Sequence, residues 1–184
     1  MQKNKSTREL ACIAMGAALI AACSWIAIPA AIPFTLQTFA VCLVTALFGL
    51  RTGLWTVAVY LLLGAVGAPV FSGFKGGLGA LLGTTGGYLV GFLFTALIVG
   101  LAVDRFGRKL AVLAVSMALG ILACYAFGTI WFVLVYTRES GAIGVGTALA
   151  WCVLPYLLPD AVKIALAALL TGRLYPILGK GGAK

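Results

Sequence analysis

Read from its N-terminus, the chain alternates long apolar runs with short polar or glycine-rich breaks. Residues 1–9 are polar and basic (Lys3, Lys5, Arg8), and an apolar run follows over about 10–28. That run approaches the roughly 20 residues a spanning helix needs and exceeds the apolar part of a cleaved secretory leader, so it reads as a retained first helix. Pro29 and Pro33 each remove a backbone donor and push the preceding residue to extended geometry, which stops the helix. Thr35 offers an N-cap for a second helix over about 36–50, Arg51-Thr52-Gly53 makes a tight turn, and a third helix covers about 54–67. Each of these two helices has about 15 residues and so spans about 22 Å, short of a hydrocarbon layer of about 30 Å.

The stretch 68–82 is expected to complete that layer as a pocket-covering loop. Irregular backbone at membrane depth persists where protein covers it or where it lines a cavity. Gly79, Gly83, Gly87 and Gly91 then recur every fourth residue into a fourth helix over about 84–103, a spacing that lets a neighbouring helix approach closely. Asp104 to Lys109 form a charged turn before a fifth helix over about 110–136. A polar connection over 137–146 leads to a sixth over about 147–175, kinked or broken near Pro155 and Pro159 and ending before Pro176.

Composition fixes the solvent of this pattern. Of 184 residues, 63% are hydrophobic and 9% charged, and the mean hydropathy is +1.15. A soluble domain carries roughly 25% charged residues, so the expectation is a single all-α, multi-pass integral membrane domain over 1–184. The formal charge of +9 is strung along the connections without forming a contiguous basic face, which argues against nucleic acid as a partner.

Membrane topology accounts for that charge better. With six spans, Lys3, Lys5, Arg8, Arg51, Arg105, Arg108, Lys109, Arg173, Lys180 and Lys184 fall on one side, against Lys75 and Arg138 on the other. Lysine and arginine concentrate on the cytoplasmic side. Both termini are therefore expected inside, and the connections at 29–34 and 68–82 outside.

Several chemistries drop out. Without histidine there is no Ser-His-Asp or Cys-His catalysis, and no Gly-x-x-x-x-Gly-Lys-Ser/Thr loop binds ATP. Cys12, Cys23, Cys42, Cys124 and Cys152 are isolated in apolar runs, which is core usage and not a metal or disulfide framework.

What stands out is Asp160 and Lys163, an acid and a base three residues apart inside an apolar run. A charge near the centre of a spanning helix costs about 2.5–3.5 kcal/mol, so two unpaired ones cost roughly 5–7 kcal/mol. Such residues usually face a binding site or an ion pathway; the plainer alternative is an ion pair that welds helices. Positions i and i+3 share a helix face, so Asp160 can accept from and Lys163 donate to one ligand group, and a urea or amide is the natural match. A site of that kind rejects analogues that leave its charges unpaired. Further polar candidates on the outer side are Thr35, Gln37, Ser72, Lys75 and Tyr88, with walls from Trp25, Phe34, Phe71 and Phe74. Ala14 and Ala18 give the first helix a small-residue surface on which another helix packs closely.

With these residues in place the chain resembles the BioY family, the membrane-embedded biotin-binding (S) components of energy-coupling factor transporters. The resemblance rests on Ile32-Pro33-Phe34-Thr35-Leu36-Gln37-Thr38, on Gly67-Ala68-Pro69-Val70-Phe71-Ser72-Gly73-Phe74-x-Gly76-Gly77, on Gly86-Gly87-Tyr88-Leu89, and on Pro155-x-x-x-Pro159-Asp160-x-x-Lys163. It implies six helices, capture of biotin from outside a prokaryotic plasma membrane, no cofactor, and assembly with a coupling subunit of EcfT type and two ATP-binding subunits of EcfA type. It also implies that Asp160 and Lys163 hydrogen-bond the ureido ring, that Lys75 stands where a loop residue touches the ligand, and that Ala14 and Ala18 meet the coupling subunit. Two departures bear on the pocket's backbone: Gly83-Thr84-Thr85 where the family usually has Gly-Pro-Thr, and Leu158-Pro159-Asp160 where it commonly has Pro-Gly-Asp. Competing readings are a self-sufficient ion-coupled carrier with Asp160 as a proton site, and a non-transporting scaffold. A membrane enzyme is the weakest, since Asp160 is the only acid expected in the cavity.

Overall fold

The computed structural model describes residues 2–30 and 32–180, with side chains for 7–30 and 32–177. Ala31 and residues 181–184 lie outside the described residues, Lys184 of the charge count among them, as do the side chains of Lys3, Lys5 and Lys180.

Five helical segments are long and apolar enough to cross a membrane: Thr7–Trp25, Gln37–Ala65, Gly86–Phe106, Leu110–Ser140 and Val145–Ile177. The first lies in α1 (Gln2–Trp25). It starts before and stops before the expected 10–28, because Ala27–Ile28 (β1) pairs antiparallel with Phe34–Thr35 (β2), Ala27 opposite Thr35. The two prolines thus close a short ribbon, and its end is tied back to α1 by Leu36 N donating to Cys23 O at 3.2 Å.

Helix α2 (Gln37–Ala65) contains a residue far from helical geometry, Gly49, at φ 82° and ψ −175°. The chain reverses there. Gln37 Nε2 donates to Tyr60 OH at 2.5 Å across 23 residues, a separation of about 34 Å in a continuous helix. The two arms, 37–48 and 50–65, therefore lie side by side, close enough that a Cβ on Gly53 would stand 2.8 Å from Thr45 Cγ2. Sequence polarity places this turn at Arg51-Thr52-Gly53; the structure moves it to Gly49. The reason is tertiary. Asp104 Oδ2 accepts from Leu50 N at 3.1 Å, and Arg108 donates from Nε to Ala46 O at 2.7 Å and from Nη2 to Leu47 O at 3.4 Å. Those bonds satisfy the orphan groups of both arms where they meet.

Beyond α2 the stretch 68–82 is more ordered than the expected irregular loop, with a 3₁₀ turn at Ser72–Phe74 and a short helix α3 (Leu78–Leu82). Helices α4 (Gly86–Phe106) and α5 (Leu110–Ser140) follow. The glycine stripe divides in two. A Cβ at Gly87 would run into Trp131 and one at Gly91 would lie 2.7 Å from Cys124 Sγ, so these two seat α4 on α5, whereas Gly79 faces open space. The last run breaks at Val153 into α6 (Val145–Cys152) and α7 (Leu154–Lys180). Pro155 sits in the first turn of α7, where its missing N–H costs nothing, and Pro159 and Pro176 are carried inside the helix. Helix α7 thus passes the expected stop at 175, since a proline removes one hydrogen bond without forbidding the residues after it.

Candidate ligand site

The elements converge on a cavity. Its floor is the first turn of α2 (Gln37, Thr38) and the second and third turns of α7 (Asp160, Lys163). Its walls are Tyr88, Leu89 and Phe92 of α4, Tyr125 of α5, and Cys152 and Tyr156 of the last two helices. Ile32, Pro33 and Thr35 from the ribbon, with Phe71, Ser72 and Lys75 from the 68–77 loop, close it from above.

Asp160 and Lys163 are 4% and 5% exposed. Lys163 Nζ donates to Asp160 Oδ1 at 2.7 Å, to Thr35 O at 2.6 Å and to Thr38 Oγ1 at 3.2 Å, which engages all three of its protons. The Phe34 ring centroid lies 4.1 Å from the same nitrogen, a cation–π contact. Thr38 Oγ1 donates onward to Asp160 Oδ1 at 3.0 Å, and the Tyr125 hydroxyl donates to Oδ2. The pair is therefore part of a network joining α7 to α2 and α5. Pairing of this kind offsets the cost of burying two charges.

A second network holds the loop. Thr35 Oγ1 donates to Gln37 Oε1 at 2.9 Å, Gln37 donates to Tyr60, and Tyr60 OH donates to Val70 O at 3.0 Å. Ser24 Oγ reaches the same Val70 oxygen at 2.6 Å, and Trp25 Nε1 donates to Pro69 O at 2.9 Å. The Phe71 ring fills the notch left by Gly64, whose missing Cβ would overlap it. Pocket cover, α1 and α2 are thus tied together.

Of the sequence-predicted site residues, Asp160, Lys163, Lys75, Tyr88, Gln37, Phe71 and Ser72 line the cavity. Phe74 does not. It is 64% exposed and stacks on Trp25 at 5.2 Å, in a turn where Phe74 itself has φ 57°. Trp25 accordingly anchors the loop from outside and is no wall. Lys75 stands at the mouth, lining both the cavity and an outer hollow shared with Pro33, Ala80 and Thr85. Thr84, one of the two departures, lines that hollow and leaves the cavity floor untouched. Ala14 and Ala18 are exposed on α1, while Ala17 and Ala21 face the core.

Sequence reasoning missed Thr38, Tyr125 and Tyr156. A signal existed for the tyrosines: a phenol inside an apolar run needs a partner for its hydroxyl, and here Tyr125 finds Asp160 and Tyr156 finds Ile32 O. Among the described residues no group of His, Cys, Asp and Glu is arranged to hold a metal ion.

Comparison with known proteins adds an independent line. A model of the BioY family matches residues 1–180. The biotin transporter BioY of Thermotoga maritima is 42% identical over 171 residues, covering 91% of this chain and 95% of that protein. That of Rhodobacter capsulatus is 36% identical over 172 residues, covering 88% and 90%. Among solved structures, the S-component for biotin from an ECF-type ABC transporter superposes with a TM-score of 0.83 at 26% identity, covering 95% of this chain and 94% of that one.

Proposed function

The chain belongs to the BioY family, and on that premise we propose that it is the biotin-binding S component of an ECF-type importer, a transport subunit and not an enzyme. The observation that carries the reading is the buried Asp160–Lys163 pair on the floor of a cavity roofed by the 68–77 loop. A cyclic urea offers N–H groups beside a carbonyl, the complement of a carboxylate beside an ammonium, and charge-assisted bonds to both are the strong kind. Gln37, Tyr88, Phe71 and Ser72 complete the proposed ligand contacts, and Lys75 at the mouth faces the carboxylate of the ligand's tail.

The reversal at Gly49 supports the finer reading. Counting the two arms of α2 separately makes six crossings, which puts both termini on one side. The distribution of Lys and Arg favours the cytoplasmic side, with the cavity opening outward from a prokaryotic plasma membrane. Energy for uptake then comes from partners, a coupling subunit of EcfT type and two ATPases of EcfA type, with exposed Ala14 and Ala18 as the proposed contact for the coupling subunit. An ion-coupled carrier using Asp160 as a proton site is less consistent with three hydrogen bonds already converging on that carboxylate.

The test is equilibrium biotin binding by calorimetry to the detergent-purified chain, beside Lys163→Ala and Asp160→Asn. Removing one partner of a buried hydrogen-bonded charge pair costs about 2–5 kcal/mol in binding, so each substitution should weaken biotin at least about thirtyfold. Desthiobiotin, which keeps the ureido ring, should compete, and lipoate, which lacks it, should not. A well-folded wild-type chain that binds no biotin would sink the assignment.

A further inference from the structure

The ion pair is more fully committed than a simple pair of recognition groups. Lys163 has three protons and three acceptors, Asp160 Oδ1, Thr35 O and Thr38 Oγ1, so no donor is free for a ligand carbonyl. Of the three, the bond to Thr38 is the longest at 3.2 Å and ends on a neutral hydroxyl. That hydroxyl's own proton is given to Asp160 Oδ1, so it keeps its place whether or not it receives from lysine. On the acid, a carboxylate has about four lone-pair sites. Oδ1 receives Lys163 and Thr38, and Oδ2 receives Tyr125. One acceptor site on Oδ2 remains, and nothing further among the described residues donates to it.

We propose that Tyr125 and Thr38 are positioning residues of this site: they leave Asp160 one open acceptor and Lys163 one exchangeable donor, and so tune the pair to an N–H beside a carbonyl. Tyr125 acts through Asp160. By occupying one side of Oδ2 from α5, it fixes the carboxylate plane and hence the direction of the remaining lone pair. Thr38 acts through Lys163. Its oxygen is a resident acceptor that the ligand carbonyl displaces, so ligand entry exchanges one bond for another and at no stage strands a buried charge. The exchange also accounts for specificity beyond charge: a ligand with a carbonyl alone must displace Thr38 and gains nothing at Oδ2.

The proposal rests on the biotin reading above, and its test separates the two. Binding of biotin and of its cyclic carbonate analogue, in which oxygen replaces both ureido N–H groups, is measured for the wild type, Tyr125→Phe and Thr38→Val, with thermal unfolding as the check on folding. Tyr125→Phe should weaken biotin about tenfold, the scale of a hydrogen bond to a charged group, and change the carbonate analogue less than about twofold. Thr38→Val should tighten the carbonate analogue, because one lysine donor then has no resident acceptor. A loss in Tyr125→Phe that is equal for the two ligands, or no loss at all, overturns the positioning role, since a merely loosened structure does not distinguish N–H from O. A weaker carbonate analogue in Thr38→Val overturns the exchange. Failure of the wild type to bind biotin overturns the ligand reading and this proposal with it.

Discussion

Replacing Lys163 by methionine would leave the Asp160 carboxylate, 4% exposed, without its cation. Breaking a buried pair from one side costs about 3–5 kcal/mol, whereas replacing both members by neutral groups of similar volume is often neutral or stabilising. Lys163→Met should therefore lower the thermal midpoint in detergent, and Asp160→Asn combined with Lys163→Met should recover most of it while still failing to bind biotin. Recovery of stability without recovery of binding is the signature of a pair kept for recognition. If the double variant were no more stable than Lys163→Met, the pair would be a helix weld. At this scale the charged residues were legible in the sequence because an acid and a base inside an apolar run are costly anywhere they lie. Thr38 was not, because a threonine is unremarkable in a spanning helix until the fold brings it to Asp160 across 122 residues. The buried phenol of Tyr125 signalled a need for a partner, but nothing local named Asp160, 35 residues away.

At the scale of elements, the hydropathy pattern marks the long apolar segments, but local polarity does not mark where the chain turns. The break in α2 was expected at the polar Arg51-Thr52-Gly53 and falls at Gly49, because the groups that cap it, Asp104 and Arg108, come from the α4–α5 connection. No local pattern announces a cap supplied from 54 residues away. The loop over the cavity shows the same dependence. Its position is set by Phe71 against Gly64, by Gly77 N donating to Gly64 O at 2.7 Å, and by Val70 O held from α1 and α2. Gly64→Ala puts a methyl where the Phe71 ring lies and must lift the loop. Overpacking of this kind costs about 1–3 kcal/mol, and if the bound state bears it, biotin should dissociate about five- to 150-fold faster. Stopped-flow displacement measures this directly. An unchanged off-rate would mean that the loop does not hold the ligand.

The whole molecule is polarised end to end, and the contacts that polarise it bear on its topology. Arg51 pairs with Glu9 at 3.2 Å, Leu50 N donates to Asp104, and Arg108 both bonds Ala46 and Leu47 and lies 4.0 Å from the Tyr175 ring centroid. The early part of α1, the α2 reversal, the α4–α5 connection and the late part of α7 are therefore gathered at one end, with Arg8, Arg105, Lys109 and Arg173 on the same segments. Residues of the β1–β2 ribbon and of the 68–82 stretch, Lys75 among them, together line the cavity and the hollow outside it. Positive charge is retained on the cytoplasmic side of a membrane, so the basic end should face inward and the cavity mouth outward. In a background with the native cysteines replaced, Gly107→Cys in the α4–α5 connection should react with a membrane-impermeant maleimide only after cells are permeabilised. Gly77→Cys beside the mouth should react in intact cells; a side chain at φ +90° is strained there, but nothing lies within 4 Å to obstruct it. Labelling of Gly107→Cys from outside with protection of Gly77→Cys would invert the molecule, and a site that opens to the cytoplasm could not serve uptake from outside.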